Sequence, residues 1–180
     1  MTIPNGRLAT LTTPSRVARL RGFPVGLTLV AFNPRSKIRR SQRIYARNLE
    51  VPSGGGVGTA RAIARAYSEF ATGGWELQLR QSTLDALSAP ATPASRGFYD
   101  ECMKGQARFS LGFMKPSPAW PFGSEGSFGS PGAGGSLGFA DPKAGIGYAY
   151  VTSQMGTTLT GDPRDLALRE AVYSVVPLAA

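Results

Sequence analysis

Apolar residues recur at helical spacing in one early stretch and at alternate positions in several later ones. From Thr59 to Thr72, the residues Ala60, Ile63, Ala64, Tyr67, Phe70 and Ala71 share one face, with Arg61, Arg65 and Glu69 off it. That pattern predicts an amphipathic helix, which Thr59 can cap and Gly73 can stop in the left-handed conformation. A shorter helix is predicted over Ser82 to Ser88, with Ser82 as N-cap, Asp85 three residues on and Pro90 as terminator. Ala107, Phe109, Leu111 and Phe113 then alternate with Arg108, Ser110, Gly112 and Met114, the period of a half-buried strand. Residues 126–156 read as an antiparallel meander: a short strand, a glycine-packed bend, a second strand, an Asp141-Pro142 turn and a third strand. In that last strand Ile146, Tyr148, Tyr150 and Thr152 share one face. Asp162-Pro163 opens a C-terminal helix, and Leu166, Leu168, Ala171, Val172 and Val175 give it an apolar side to lay against a sheet. The expected fold class is α+β, an antiparallel β-meander with flanking helices.

Composition is consistent with this. The chain has 180 residues, 42% hydrophobic and 17% charged, enough for one globular domain with a core. Its 23 glycines and 14 prolines predict many turns and short strands. Charge is distributed unevenly. Of the 20 Lys and Arg residues, ten lie in residues 1–50, where Glu50 is the single acid; the net +9 therefore belongs to that segment. Three readings of it stay open: an acid-poor transit peptide, an anion- or nucleic-acid-binding cluster around Arg35, Lys37, Arg39, Arg40 and Arg43, or a solvated stretch packed on the same domain. Phe32 and Tyr45 are too few to build a base-stacking platform, so nucleic acid is not the favoured partner. The apolar run Gly26 to Phe32 is far too short to span a bilayer.

Several chemistries are excluded by residue type. The chain has no histidine and one cysteine, Cys102, so zinc sites, a Ser-His-carboxylate triad and an internal disulfide are ruled out, and no cofactor is implied. Gly54 to Gly58 precedes a helix, but it has neither the dinucleotide-binding spacing nor the lysine of a phosphate loop, and it reads as a turn. Asp100-Glu101 is an acidic pair on a loop and makes only a weak case for paired-carboxylate chemistry. No serine has lysine three positions on, and no asparagine (Asn5, Asn33, Asn48) completes a Tyr-x-Asn or Ser-x-Asn motif.

One segment carries a specific resemblance. Phe128-Gly129-Ser130-Pro131-Gly132-Ala133-Gly134-Gly135, continued by Ser136-Leu137-Gly138-Phe139-Ala140-Asp141-Pro142, is similar to the third motif of the class C β-lactamase-like serine hydrolases and esterases. In that family the strand reads Phe-Gly-His-x-Gly-x-Gly-Gly and lines the active site. Arg16 to Leu20, Val51 to Gly74 and Phe109 to Phe113 resemble further landmarks of the same family's C-terminal half. The resemblance implies a partial β-lactamase/transpeptidase-like fold, with residues 51–180 as the C-terminal portion of the domain and residues 1–50 a basic segment of it or an extension. By motif, Ser130 takes the Lys/His slot, Gly132 the family glycine, Ala133 the backbone N–H that helps bind the oxyanion, and Gly134 the adjoining glycine. Serine donates a hydrogen bond but carries no charge.

These readings imply a serine-hydrolase wall that is inactive as this chain, since the nucleophile and base motifs are absent. The alternatives are a non-catalytic ligand- or partner-binding protein on the same fold, or anion or nucleic-acid binding through residues 1–50. If the groove is complete, the resemblance implies a small ester, amide or acyl ligand. An unpaired Gly145 to Gln154 edge and an uncovered apolar face imply self-association. Nothing argues for an oxidising compartment; a cytoplasmic location is favoured, with a mitochondrial one as the other reading.

Overall fold

The structure, a computed structural model, describes residues 58–101, 104–132, 134–154, 156 and 161–176. The basic segment, most of the Gly54 to Gly58 run, Cys102 and Ala133 lie outside the described residues. The chain divides into two compact units, residues 1–58 with 101–104 and residues 59–100 with 105–180. In the first, the described residues hold an exposed Lys104–Glu101 ion pair at 3.1 Å. All else below concerns the second. Among the described residues no helix is long and apolar enough to cross a membrane.

The element order is α1 (Ala60–Ala71), α2 (Gln81–Ser88), β1 (Tyr99–Asp100), β2 (Gly105–Gln106), β3 (Phe109–Ser110), β4 (Phe113–Met114), β5 (Phe128–Gly132), β6 (Ser136–Asp141), β7 (Ile146–Tyr150) and α3 (Pro163–Val175). β1 and β2 form a small hairpin, and the other five strands make one antiparallel sheet in the order β3-β4-β5-β6-β7. The α+β class and the meander are as expected. β7 is an edge strand, flanked by β6 alone among the described residues.

Strand pleating sends alternate residues to opposite faces, and each face has its own core. On one face Phe128 and Ala140 pack with Ala71 of α1 and Leu87 of α2, joined by Tyr67, Phe70 and Phe113. On the other, Met114, Leu137, Phe139 and Phe122 pack together, with Trp120, Tyr148 and Tyr173 of α3 against them. Phe128 and Phe139 are fully buried, one on each side. Burial of such a ring is worth about 1.5–3 kcal/mol.

α1 begins as the sequence predicts: Thr59 Oγ1 accepts from Ala62 N at 3.2 Å. It ends at Gly73, whose φ of +103° an L side chain would resist. What brings the helix down onto the sheet is two glycines. A Cβ on Gly138 would stand 2.5 Å from Tyr67 Cε2. A Cβ on Gly147 would overlap the helix backbone itself, at Ala64 O and Ser68 N. The helix rests on backbone where side chains are missing.

Three expectations are corrected. The run Ala107 to Met114 is not one strand: Leu111 and Gly112 take positive φ (+50° and +83°) and fold it into a hairpin, pairing Ser110 with Phe113. Alternation runs unbroken through a two-residue turn, so the pattern does not reveal it. Phe109 and Leu111 are consequently 49% and 62% exposed. Second, α2 starts at Gln81 with Arg80 as its N-cap and no side-chain capping bond; Ser82 lies inside the helix, and Asp85 accepts instead from Gln81 Nε2 at 2.8 Å. The other end of α2 is held from outside, where buried Lys115 donates to Leu87 O over the ring of Phe128. A cation at a helix C-terminus is favourable. Burial nevertheless pulls the Lys115 ammonium below its ordinary pKa.

Third, α3 does not lay its apolar side on the sheet. Leu166, Leu168 and Val175 are 40%, 51% and 78% exposed, while Asp162, Asp165 and Arg169 are buried. The buried stripe is polar because its members satisfy one another. Tyr148 donates to Asp165 Oδ1 at 2.9 Å, and Arg169 Nε donates to Asp165 Oδ2 at 2.9 Å. Arg169 Nη1 donates to Pro121 O at 2.8 Å. Farther along, Tyr173 donates to Asp141 Oδ2 at 2.6 Å. Asp141 also accepts from Ser124 N at 2.8 Å, Ser124 Oγ at 2.6 Å and Ala144 N at 3.2 Å. Burial pushes the Asp141 carboxyl up, but these donors together outweigh it, and it titrates below the ordinary aspartate value. Burial and the Asp141 carboxylate both push the Tyr173 phenol well up.

Two outcomes are expected. Gly147→Ala should destabilise by about 2–3 kcal/mol, read as a lower urea midpoint at unchanged slope. Gly126→Ala, whose Cβ would meet only Ser88 O at 3.8 Å, is the near-neutral control. The unfolded chain binds the Asp141 proton more readily than the folded one, so this carboxylate stabilises the fold above the ordinary carboxylate range. That contribution drains as pH falls through the lower, folded value. In Asp141→Asn, urea titrations across pH 2–7 should show lower stability at neutral pH and a shallower acid limb.

Candidate functional site

The third-motif residues lie on β5 and at the tip of the β5–β6 hairpin. Ser130 pairs with Gly138, Pro131 with Leu137 and Gly132 with Ser136. β4 reaches β5 at one register position, Met114 opposite Gly129. Beyond it, the other edge of Ser130 to Gly132 has no strand partner among the described residues. Proline suits such an edge, since it has no N–H to give a ladder. Ser130 is exposed and points to the face on which α1 lies.

Gly138, across from Ser130, leaves room for the Tyr67 ring. Burial raises the Tyr67 phenol above its ordinary value and keeps it protonated, with nearby Ser130 opposing this to a smaller extent. The two hydroxyls make a neutral, donor-bearing corner beside an open strand edge. Tyr67 has no signal of its own in the sequence, where it belongs to the apolar face of α1. Only the packing of the helix over Gly138 brings it here.

The hairpin tip is braced from behind. Gly135 N donates to Gly132 O at 3.1 Å, and Gly134 and Gly135 hold positive φ of +92° and +97°. Gly134 O accepts from Gly156 N at 2.7 Å, which commits that carbonyl to the fold. Where Gly135 and Gly156 lack side chains, Asp162 Oδ2 fills the space, 2.5 Å and 2.8 Å from their would-be Cβ positions. Asp162 accepts from Arg164 N at 3.0 Å, Nε at 2.8 Å and Nη2 at 2.6 Å, and Arg164 Nη1 donates to Gln154 O at 3.0 Å. The Arg164 guanidinium holds the Asp162 carboxyl below its ordinary value, and Asp162 in turn raises Arg164. The sequence marks Asp162 as a helix cap; the structure makes it a brace for the glycine loop too. Ser130 and Gly132 therefore share one open edge, Gly134 anchors the loop behind it, and Ala133 lies outside the described residues.

Such a corner can hydrogen-bond an acyl oxygen or receive an extended ligand along the strand. Among its described residues the corner holds one titratable group, the Tyr67 phenol, which burial keeps protonated, and the chain has no histidine.

The beta-lactamase family model matches residues 7–173. The chain is 31% identical over 107 residues to Esterase/beta-lactamase LipL of Mycobacterium tuberculosis, which covers 59% of this chain and 24% of that protein. It is similar to the crystal structure of a family VIII carboxylesterase (TM-score 0.65, 32% identity, 81% of this chain and 39% of that one). It is also similar to a novel penicillin-binding protein homolog from Caulobacter crescentus (TM-score 0.60, 33% identity, 71% and 34%). The chain thus spans about a quarter of the curated relative and roughly a third or more of the solved ones. With the third motif on an open edge of an antiparallel sheet and a family match running over nearly its whole length, the chain belongs to the beta-lactamase family.

Proposed function

We propose that this chain supplies the substrate-binding wall of an esterase- or amidase-type serine hydrolase, and that by itself it binds acyl ligands without turning them over. The observation that carries the reading is the open edge of Ser130 to Gly132, with Tyr67 packed over Gly138 directly across the ladder from Ser130. An acyl oxygen at this edge meets donors of the kind that bind an oxyanion, where one good donor is worth roughly 10²–10³ in rate. Rate enhancement needs a nucleophile as well, and no Ser-x-x-Lys or Tyr-x-Asn occurs in the sequence. In a protein that also carries those motifs, the reaction is ester or amide hydrolysis through an acyl-serine.

Residue type also bears on the ligand. The slot filled by lysine or histidine in the family holds Ser130, a neutral group, and its neighbour Tyr67 is neutral too. A ligand carboxylate gains no ion pair there, so neutral acyl compounds are the favoured class.

The purified chain should show no stoichiometric labelling by a fluorophosphonate probe and no hydrolysis of p-nitrophenyl butyrate. A neutral ester should still bind saturably, and Ser130→Ala or Tyr67→Phe should each weaken it about three- to tenfold. Stoichiometric labelling overturns the non-catalytic reading; loss of saturable binding overturns the acyl site.

A further inference from the structure

We propose a second binding site, independent of the acyl site above, in the cavity between the loop after α2 and the segment 115–125. Its ligand is a small, mostly apolar carboxylate. The cavity measures about 450 Å³, within the range of clefts that hold small organic ligands. Part of its wall lies at the end of β6 away from the glycine loop, while Pro121 and Phe122 also line a crevice that reaches Gly135 and Ser136. The cavity's wall residue Ser124 bonds Asp141 at one end of β6, while the hairpin closes the other end at Ser136. Those ends are roughly 17 Å apart along the strand.

Three features of the wall define the ligand. Phe98 and Phe122 line it and offer apolar surface. Arg108 also lines it, with its guanidinium stacked on the Phe98 ring at 5.3 Å from the centroid. Stacking steadies this side chain and leaves its fork of N–H donors uncommitted. The ion pairs found among the described residues do not include Arg108. A planar carboxylate is the group that matches that fork two bonds at a time.

The third feature is Ser117. Its backbone is used in reciprocal bonds with Trp120, Ser117 N to Trp120 O at 3.2 Å and Trp120 N to Ser117 O at 2.9 Å. Its Oγ is buried and has no hydrogen-bond partner. Buried hydroxyls are seldom left so. Rotation about χ1 would turn it to the cavity, where a ligand oxygen would satisfy it.

The charge balance points the same way. Lys115, 3% exposed, adds a second positive charge from the buried side. Its ammonium is turned to Leu87 O and Phe128, so it contributes field rather than contact. Glu125 is the one carboxylate of the lining and is exposed. Two cations against one carboxylate suit a monoanion.

The test is equilibrium dialysis and nitrogen-resolved NMR on the whole chain, with benzoate and octanoate as probes and benzamide and octanamide as their neutral counterparts. The expected result is saturable binding in which an acid is held about tenfold tighter than its amide. Backbone shifts should concentrate around Phe98, Arg108, Ser117 and Phe122. Arg108→Gln should abolish the preference for acid without altering the circular dichroism spectrum, since Arg108 is exposed and its side chain packs on one ring. Ser117→Ala should weaken acid and amide alike. No saturable binding of either acid, equal affinity for acid and amide, or an acid preference that survives in Arg108→Gln overturns the proposal. Shifts confined to residues 128–136 overturn it as well, by placing the acid at the acyl site.

Discussion

The contact between α1 and the sheet at Gly138 and Gly147 is the constraint on which the rest depends. A helix normally stands off a sheet by the thickness of two side-chain layers. Here the β6 and β7 positions beneath it carry no side chains, and the Ala64–Ser68 backbone settles almost onto the strand. That close approach seals Phe128 and Ala140 under Tyr67, Phe70 and Ala71. It also sets Tyr67 over Gly138, directly opposite Ser130 across the β5–β6 ladder. One packing decision thus closes a core and builds one corner of the candidate site.

The opposite face is held by a different kind of interaction. α3 meets it through Asp165, Arg169 and Tyr173, whose bonds to Tyr148, Pro121 O and Asp141 connect the helix to β6, β7 and the loop before β5. Buried charges are costly unless compensated: Asp165 and Arg169 pair with each other, and Asp141 accepts four neutral hydrogen bonds instead. Such a network gains less from area than a hydrophobic face does, but it fixes geometry tightly. That rigidity reaches the glycine loop at the N-terminus of α3, where Asp162 and Arg164 tie Gln154 and Gly156 to the hairpin tip. The candidate site is therefore positioned by α1 on one side and by α3 on the other.

Much of this was legible in the chain. α1 and its caps, the three-stranded meander, and the Asp162-Pro163 helix start all follow from periodicity and capping chemistry, which are local. The misreadings share a cause. Leu111-Gly112 looks like the interior of a strand because a two-residue turn preserves alternation. Ser82 looks like a cap because residue type alone does not say where the backbone turns helical. The apolar positions of α3 look like a buried face because the polar partners that reverse this arrive from Tyr148, Pro121 and Asp141, all distant in sequence.

By itself the sequence determined the family, through the run Phe128 to Pro142. It also contains no histidine, a single cysteine and no Ser-x-x-Lys run. Both are statements about which atoms are available. Only the tertiary structure decided that Ser130 stands beside Tyr67, that Asp162 fills the space left by Gly135 and Gly156, and that Arg108 and Ser117 share a cavity wall. Each of those joins residues from separate elements. Their meeting is set by helix–sheet approach and buried hydrogen bonds, which act across distances that no local pattern records.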